Sequence, residues 1–295
     1  MGALLIKLYQ NIMEFFGRLV LFNRNLPDGY IRENNIPYSA YGDFDLFSPS
    51  VRKDKLPVLI YIHGGGWTTG SKLTSAHQCA VFASEGFLVL NVKYRLGPKY
   101  NHPAAIEDLG LVLSWLNENH TNYHANLNKI FFGGSSAGGH LSCMSACIAT
   151  NENLRRKIGV DFPIKSGQVA GLLLIYGGYN FETIVDSGFF MIKTMVKSYI
   201  GTTKPLEYEL KDQISPVHHI TDEFPPAFIT AGERDSLFNQ SIELIEVLEA
   251  KNRPYEKLLF DRNVKNAKHA YVNFYYRDCS KQAYEGMISF LKKYS

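Results

Sequence analysis

Two adjacent serines, Ser135 and Ser136, lie in the glycine-rich stretch GGSSAGG. A nucleophilic serine on a sharp strand-to-helix turn is flanked as G-x-S-x-G, because the backbone there approaches its neighbours closely. Ser136 has Gly134 and Gly138 at the two flanking positions. Ser135 has Ala137 where the second glycine is needed. The spacing therefore predicts Ser136 as a nucleophile, with Ser135 as its neighbour in the turn.

A nucleophilic serine needs a base to take its proton and an acid to orient that base. On a sheet with alternating helices the chain order is serine, then Asp or Glu, then histidine, and the acid follows a core strand. Asp235 follows a predicted strand at residues 226–231, and His269 is the one histidine beyond it. Glu233 is the alternative acid, although it lies nearer the strand end. The candidate catalytic residues are therefore Ser136, Asp235 and His269.

The stretch HGGGW, which begins at His63, contains three successive glycines after a predicted strand. Glycines leave backbone N–H groups unshielded, and such donors stabilise the negative charge that develops on a carbonyl oxygen during acyl transfer. We expect an oxyanion hole made by the N–H groups of Gly65, Gly66 and Ala137. The alternative is a flexible loop without such a role, which the flanking histidine and Trp67 disfavour.

A glycine-rich turn ahead of a helix can alternatively bind a phosphate group. The chain contains neither G-x-x-x-x-G-K-[ST] nor G-x-G-x-x-G, the patterns typical of that use. His120 and His124 have a spacing compatible with a metal on a helix face, but the sequence places no third ligand nearby. We therefore expect neither a cofactor nor a metal.

The composition narrows the class of protein. Of the 295 residues, 45% are hydrophobic and 20% charged, which is typical of a globular protein with a full core. The 31 basic and 28 acidic residues are mixed along the chain, so we expect no nucleic-acid partner. Four cysteines without a C-x-x-C pair indicate a reducing compartment, and we expect a cytoplasmic location. The expected partner is a small-molecule substrate, and a homodimer is left open.

Apolar, strand-like runs alternate with helical spacing through most of the chain. This alternation predicts an α/β fold with a mostly parallel central sheet and helices on both faces. A looser segment at 29–47 predicts antiparallel edge strands. Strands are predicted at 58–63, 87–92, 129–132, 169–176, 226–231 and 257–260, and helices at 73–84, 103–117, 137–150, 236–251 and 278–293.

Two segments depart from this alternation within one predicted domain, residues 1–295. Residues 1–25 predict an amphipathic helix, since polar side chains recur at helical spacing along Met1–Phe22. That helix could pack on its own domain or lie on a membrane surface without stable insertion, because charged residues interrupt any spanning run. Residues 177–224 are too long for a simple connection between strands, which predicts an inserted cap or lid.

Taken together, these motifs resemble the hormone-sensitive-lipase-like branch of the α/β-hydrolases, particularly its compact bacterial-type esterases. The resemblance covers most of the chain and implies hydrolysis of short-chain acyl esters through an acyl-enzyme, an oxyanion hole of backbone amides and a small cap. Ser135 stands where this family often has Asp or His. The matching positions are His63-Gly64-Gly65-Gly66-Trp67, Tyr94-Arg95-Leu96, Pro103 with Asp108, Gly134-Ser135-Ser136-Ala137-Gly138-Gly139, Asp235 and His269.

Two alternatives to a carboxylesterase stay open at the level of the sequence. Arylformamidases and related amidases of the same fold also carry a His-Gly-Gly-x-Trp loop, so an amide substrate is the first. The second is a ligand-binding protein on a hydrolase scaffold that has lost its catalysis, which the intact Ser136, Asp235 and His269 disfavour.

Overall fold

A computed structural model of the chain describes residues 26–51 and 55–295. Its centre is an eight-stranded sheet with the strand order β1-β2-β4-β3-β5-β6-β7-β8. The strands are β1 (Tyr30–Pro37), β2 (Asp43–Pro49), β3 (Leu56–Ile62), β4 (Leu88–Val92), β5 (Ala125–Ser135), β6 (Val169–Ile175), β7 (Ala227–Gly232) and β8 (Tyr255–Phe260). The predicted helix at residues 1–25 lies outside the described residues.

The direction of the strands divides the sheet into an edge and a core. Strands β1 and β2 form an antiparallel pair, and β2 also runs antiparallel to β4. From β4 to β8 every neighbouring pair is parallel. The predicted fold class, with antiparallel edge strands and a parallel core, is confirmed.

Alternate residues of a central strand face two different hydrophobic clusters. In β3, Val58, Ile60 and Ile62 belong to one cluster, while Leu59 and Tyr61 belong to the other. All five are fully buried, which is why the strand is apolar throughout instead of alternating with polar residues. Because the core strands are parallel, their carboxyl ends lie at the same end of the sheet, where α/β proteins place their sites.

The five helices predicted within the described residues lie close to their predicted bounds, and the structure adds three short α-helices that the sequence analysis does not predict. The segment predicted as one helix at 73–84 is a 3₁₀ turn, Lys72–Ser75, followed by an α-helix. The α-helices are α1 (Ala76–Ser84), α2 (Ala104–Asn119), α3 (Ala137–Thr150), α4 (Glu152–Ile158), α5 (Phe181–Ile184), α6 (Ile192–Ile200), α7 (Phe238–Ala250) and α8 (Asp278–Tyr294). None of the helices in the described part of the chain combines the length and the apolar character that a membrane-spanning helix needs.

The segment between β6 and β7 contains α5, α6 and three 3₁₀ turns. It is anchored by its own buried aromatic residues, Phe181 and Tyr199, which join the larger hydrophobic cluster. Backbone hydrogen bonds also connect it to the rest of the protein, as between the N–H of His102 and the carbonyl of Tyr199 at 2.8 Å. The segment is therefore packed onto the end of the sheet where β3 and β5 terminate.

Candidate active site

Ser136 occupies the turn between β5 and α3 with φ 55° and ψ −119°. A positive φ is uncommon for a residue with a side chain and costs about 1–3 kcal/mol, so the surrounding structure must hold it. One such contact is the hydrogen bond from the N–H of Ser136 to the carbonyl of Ile175 at the end of β6, 2.8 Å long. Of the two serines, Ser136 therefore has the strained geometry of a nucleophile elbow.

The two glycines that flank Ser136 are both in close contact with the same residue, Ile62. A Cβ atom added to either Gly134 or Gly138 would overlap the carbonyl oxygen of Ile62, the last residue of β3. The elbow therefore brings α3 directly against the end of β3, and only glycines permit that distance. This contact gives the G-x-S-x-G spacing a physical cause in this chain.

A continuous hydrogen-bonded path connects three side chains at the carboxyl edge of the sheet. The Oγ of Ser136 lies 3.0 Å from the Nε2 of His269, and the Nδ1 of His269 lies 2.6 Å from the Oδ2 of Asp235. The other carboxylate oxygen of Asp235 accepts the N–H of Leu237 at 2.9 Å. The structure therefore brings together the three residues that the sequence singles out, from the segments that follow β5, β7 and β8.

The hydrogen bonds define which ring nitrogen carries the proton. The ionised carboxylate of Asp235 can only accept, so the Nδ1 of His269 is the donor and its Nε2 presents a lone pair to the hydroxyl of Ser136. The side chain of Asp235 is 1% exposed and that of His269 is 23% exposed. The carboxylate of Asp235 is thus sealed inside, while part of the His269 imidazole is open to solvent.

Glu233, the alternative acid, lies elsewhere. Its carboxylate points outward, 40% exposed, with the guanidinium Nε of Arg262 3.7 Å away. Its backbone N–H donates to the carbonyl of Phe260 and so continues the sheet beyond β7. The structure therefore does not bring Glu233 to His269.

The three-glycine loop turns over the elbow in a fixed conformation. Gly65 and Gly66 have φ values of 130° and 58°. The carbonyl of Gly65 accepts the N–H groups of Thr68 and Thr69 at 3.2 and 3.1 Å, and the carbonyl of Gly66 accepts the hydroxyl of Thr68. With both carbonyls bound inside the loop, the orientation of its peptide groups is set.

The third predicted donor, the N–H of Ala137, comes from the start of helix α3 and not from the three-glycine loop. Ala137 opens helix α3, and the first N–H groups of a helix have no partner within it. A Cβ on Gly64 would lie 3.2 Å from the Oγ of Ser135 and 3.4 Å from the Cβ of Ser136, so the loop and the elbow are in contact. The predicted donors Gly65, Gly66 and Ala137 belong to these two touching segments.

The sequence does not identify three further residues that border this site. The ring of Phe189 packs edge-on against His269 with centroids 4.6 Å apart, and Tyr176 contacts the same imidazole at 4.9 Å. Met195 of α6 lies against Gly66, where an added Cβ would overlap its sulfur. Phe189 and Met195 belong to an aromatic and methionine-rich insertion, and this composition is the signal that could have pointed to them.

Comparison with known proteins places these features in a family. The BD-FAE family matches residues 44–248, which include the loop, the elbow and Asp235. The "Probable carboxylic ester hydrolase LipM" of Mycobacterium tuberculosis is 30% identical over 70% of this chain, and the chain spans about half of its length, 49%. The "Carboxylesterase NlhH" of the same species is 28% identical over 84% of this chain and 77% of its own.

The fold is shared with solved esterase structures. Esterase B from Lactobacillus rhamnosus superposes with a TM-score of 0.87 over 99% of this chain and 94% of its own, at 22% identity. The family match extends over more than two thirds of the sequence and includes the residues of the predicted turn and loop. Together with the carboxylesterase relatives and the shared fold, this match supports the resemblance to the hormone-sensitive-lipase-like branch of the α/β-hydrolases that the sequence motifs indicate. The chain therefore belongs to the BD-FAE family.

Proposed function

We propose that this chain is a serine carboxylesterase that hydrolyses short-chain acyl esters through Ser136, His269 and Asp235. Its family membership and its curated relatives make it an enzyme of the carboxylic ester hydrolase class. The observation that carries the more specific proposal is the hydrogen-bonded path from Ser136 Oγ through His269 to Asp235, with lengths of 3.0 and 2.6 Å. This path supports Ser136 as the nucleophile, His269 as the base and Asp235 as the orienting acid, because acyl transfer uses such an arrangement.

In the first half of the reaction, the Oγ of Ser136 attacks the ester carbonyl carbon while the Nε2 of His269 takes the hydroxyl proton. The resulting imidazolium is stabilised by the buried carboxylate of Asp235. The carbonyl oxygen becomes an oxyanion, for which we propose the N–H groups of Gly65, Gly66 and Ala137 as donors. The tetrahedral intermediate then collapses, the C–O bond to the alcohol breaks, and His269 returns the proton to the departing alkoxide.

In the second half, water repeats the sequence on the acyl-enzyme. His269 takes a proton from the water as its oxygen attacks the acyl carbon, and a second tetrahedral intermediate forms at the same donors. Its collapse breaks the bond to Ser136 Oγ, which recovers its proton from His269, and the carboxylic acid leaves. The ester has been split by one water, and every proton transfer uses a group of this chain.

A short acyl chain is supported by what surrounds the nucleophile and its loop. Met195 lies directly against Gly66, and Phe189 covers one edge of His269. Both side chains come from the inserted segment, residues 177–224, which we propose as the cap. We propose that Met195, which borders one of the proposed oxyanion donors, limits the room for a longer acyl chain.

Labelling with a fluorophosphonate tests the nucleophile directly. We expect the wild type and Ser135→Ala to be labelled, and Ser136→Ala not to be, since only Ser136 contacts His269. Equal labelling of the wild type and Ser136→Ala would refute the assignment. An unlabelled wild type would favour a binding protein without catalysis.

A substrate comparison tests the ester preference. We expect p-nitrophenyl acetate and butyrate to be hydrolysed faster than p-nitrophenyl octanoate and faster than an N-formyl aromatic amide. Preferential turnover of the amide would identify an amidase with the same catalytic residues, and preferential turnover of the octanoate would remove the short-chain assignment.

A further inference from the structure

Trp67 ends the three-glycine loop in an unusual conformation. Its φ is 58°, and only 3% of the residue is exposed, although it directly follows Gly66. Its indole N–H donates to the Nδ1 of His140 over 3.1 Å, and its carbonyl accepts the N–H of Gly97 at 2.9 Å. A tryptophan with a left-handed backbone requires such support, because that conformation is costly for a bulky residue.

His140 is fully buried in α3, one helical turn after the nucleophile. Its backbone N–H donates to the carbonyl of Ser136 at 3.1 Å. The Nε2 of its ring lies 2.9 Å from the carbonyl oxygen of Ile214, which can only accept. The proton is therefore on Nε2, and Nδ1 is left as the acceptor for Trp67. Burial also lowers the pKa of His140 to about 3, which keeps the ring neutral and this acceptor available.

The remaining contacts of the indole come mainly from the inserted segment. Tyr199 stacks on Trp67 with ring centroids 5.0 Å apart and an interplanar angle of 19°, and Phe181 lies 5.3 Å away. The carbonyl of Ile214 belongs to the same segment. His140 thus stands between the loop and the insertion, with one ring nitrogen bound to each.

We propose that His140 is a positioning residue that holds the oxyanion loop in place by accepting the indole N–H of Trp67, while the carbonyl of Ile214 fixes the ring of His140. The proposal rests on the proposed function in so far as the loop serves as an oxyanion hole. It assigns to the insertion a part in positioning that loop, in addition to covering the site.

The physical advantage is that one rigid helix, α3, carries both the nucleophile and the side chain that supports the oxyanion loop. Ser136 and His140 are the N-cap and the fourth residue of the same helix, so the nucleophile and the support of Trp67 move together. A displacement of about 1 Å in a catalytic group can cost about 100-fold in rate. Fixing the loop to the helix of the nucleophile therefore protects the distance between attacking oxygen and oxyanion donors.

Three substitutions of His140 separate its two hydrogen bonds. The Oδ1 of Asn in His140→Asn lies near the position of Nδ1 and can accept from Trp67. In His140→Gln the amide nitrogen can reach Ile214 instead, and His140→Phe keeps the aromatic packing but neither hydrogen bond. Ser145→Ala is the matched control, because Ser145 is buried in the same helix and its hydroxyl donates only to the carbonyl of Leu141.

We expect kcat to fall about 10- to 100-fold in His140→Phe, with KM changed less than threefold, because the lost stabilisation is that of the transition state. His140→Asn should recover most of kcat, whereas His140→Gln should resemble His140→Phe. Inhibition by an aryl trifluoromethyl ketone, which forms an oxyanion on Ser136, should weaken in proportion to kcat/KM across the variants. The double variant Trp67→Phe/His140→Phe should lose no more kcat than either single variant, since both substitutions remove the same hydrogen bond.

Fluorescence tests the contact without any turnover. Trp67 and Trp115 are the two tryptophans of the chain, so Trp115→Phe leaves Trp67 as the sole emitter. In that background we expect acrylamide to quench the fluorescence of Trp67 weakly when position 140 is the native His or is changed to Asn. We expect stronger quenching in His140→Phe and His140→Gln.

The outcomes are separable. If the wild type hydrolyses esters but His140→Phe keeps its kcat, or if His140→Asn falls as far as His140→Phe, the positioning role is wrong and the esterase proposal stands. If the wild type neither turns over esters nor reacts with a fluorophosphonate, the proposed function is wrong. In that case the quenching of Trp67 still decides whether His140 holds the loop. Equal quenching in all variants would overturn the positioning role of His140.

Discussion

The carboxylate of Asp235 receives the Nδ1–H of His269 at 2.6 Å while its own side chain is 1% exposed. In the proposed mechanism, this hydrogen bond orients the imidazole, and the buried carboxylate stabilises the charge that the ring acquires. A side chain at position 235 that donates a hydrogen bond to Nδ1 of His269, instead of accepting one, should therefore disturb the proposed site.

We expect Asp235→Asn to lower kcat by about 10,000-fold, because the amide would present an N–H to Nδ1 and favour the wrong tautomer of His269. Steady-state hydrolysis of p-nitrophenyl acetate measures the loss, and thermal unfolding checks that the fold is kept. Glu233→Gln is the matched control and should stay within about twofold of the wild type, since its carboxylate is exposed and apart from His269. A larger loss of kcat in Glu233→Gln than in Asp235→Asn would show that Glu233, and not Asp235, is the acid that orients His269.

Gly138→Ala tests the close contact beneath the elbow. The added methyl group would overlap the carbonyl of Ile62, which belongs to the rigid backbone of β3. We expect a loss of about 3 kcal/mol in the free energy of unfolding, as is typical of overpacking. Urea denaturation measures it against Gly167→Ala, where nothing lies within 4 Å of an added Cβ. Equal stability of the two variants would show that the elbow tolerates a larger residue.

Met195→Ala should widen the acyl preference. Removing the side chain that lies against Gly66 leaves room for about two further methylene groups, each worth about 0.8 kcal/mol when buried. We expect kcat/KM for p-nitrophenyl hexanoate to rise about tenfold relative to that for the acetate. Met195→Leu conserves the volume and should keep the wild-type profile. An unchanged chain-length profile in Met195→Ala would place the acyl chain elsewhere.

The stability of the fold should decrease below about pH 6.5 because two buried histidines resist protonation. Burial lowers the pKa of His102 to about 4 and that of His140 to about 3, from an ordinary value of 6.5. Between these values the unfolded chain binds protons that the folded chain does not, so the stabilisation is complete above pH 6.5 and is lost as the pH falls. Each histidine should cost about 2 kcal/mol at pH 5.

Urea unfolding at pH 7.5 and pH 5 checks this effect, with His102→Gln as the comparison. The variant keeps the ability to hydrogen bond Tyr199 or Gln213 but cannot titrate. Its free energy of unfolding should therefore decrease by about 2 kcal/mol less than that of the wild type over this interval. Parallel decreases in both proteins would exclude His102 as a source of the acid sensitivity.

The alternation of apolar and helical segments was enough to predict the sheet and its helices, because strands buried on both faces must be apolar throughout. The glycines on each side of Ser136 were also decisive in the sequence, since the contact with Ile62 admits no side chain at either position. His269 was selected as the one histidine beyond Asp235, in the segment between the last predicted strand and the last predicted helix. Such features can be predicted because they follow from spacing, chain order and local backbone geometry.

Other features were decided by the tertiary structure. Trp67 and His140 are 73 residues apart, and neither residue type indicates the other. Met195 and Phe189 reach Gly66 and His269 only because the inserted segment packs back onto the end of the sheet. The sequence by itself thus determined which residues are candidates for the reacting groups, because their types and spacing follow from chemistry and from the local backbone. The residues that surround and position them were determined by tertiary packing, because a contact between distant segments depends on how every element between them is arranged.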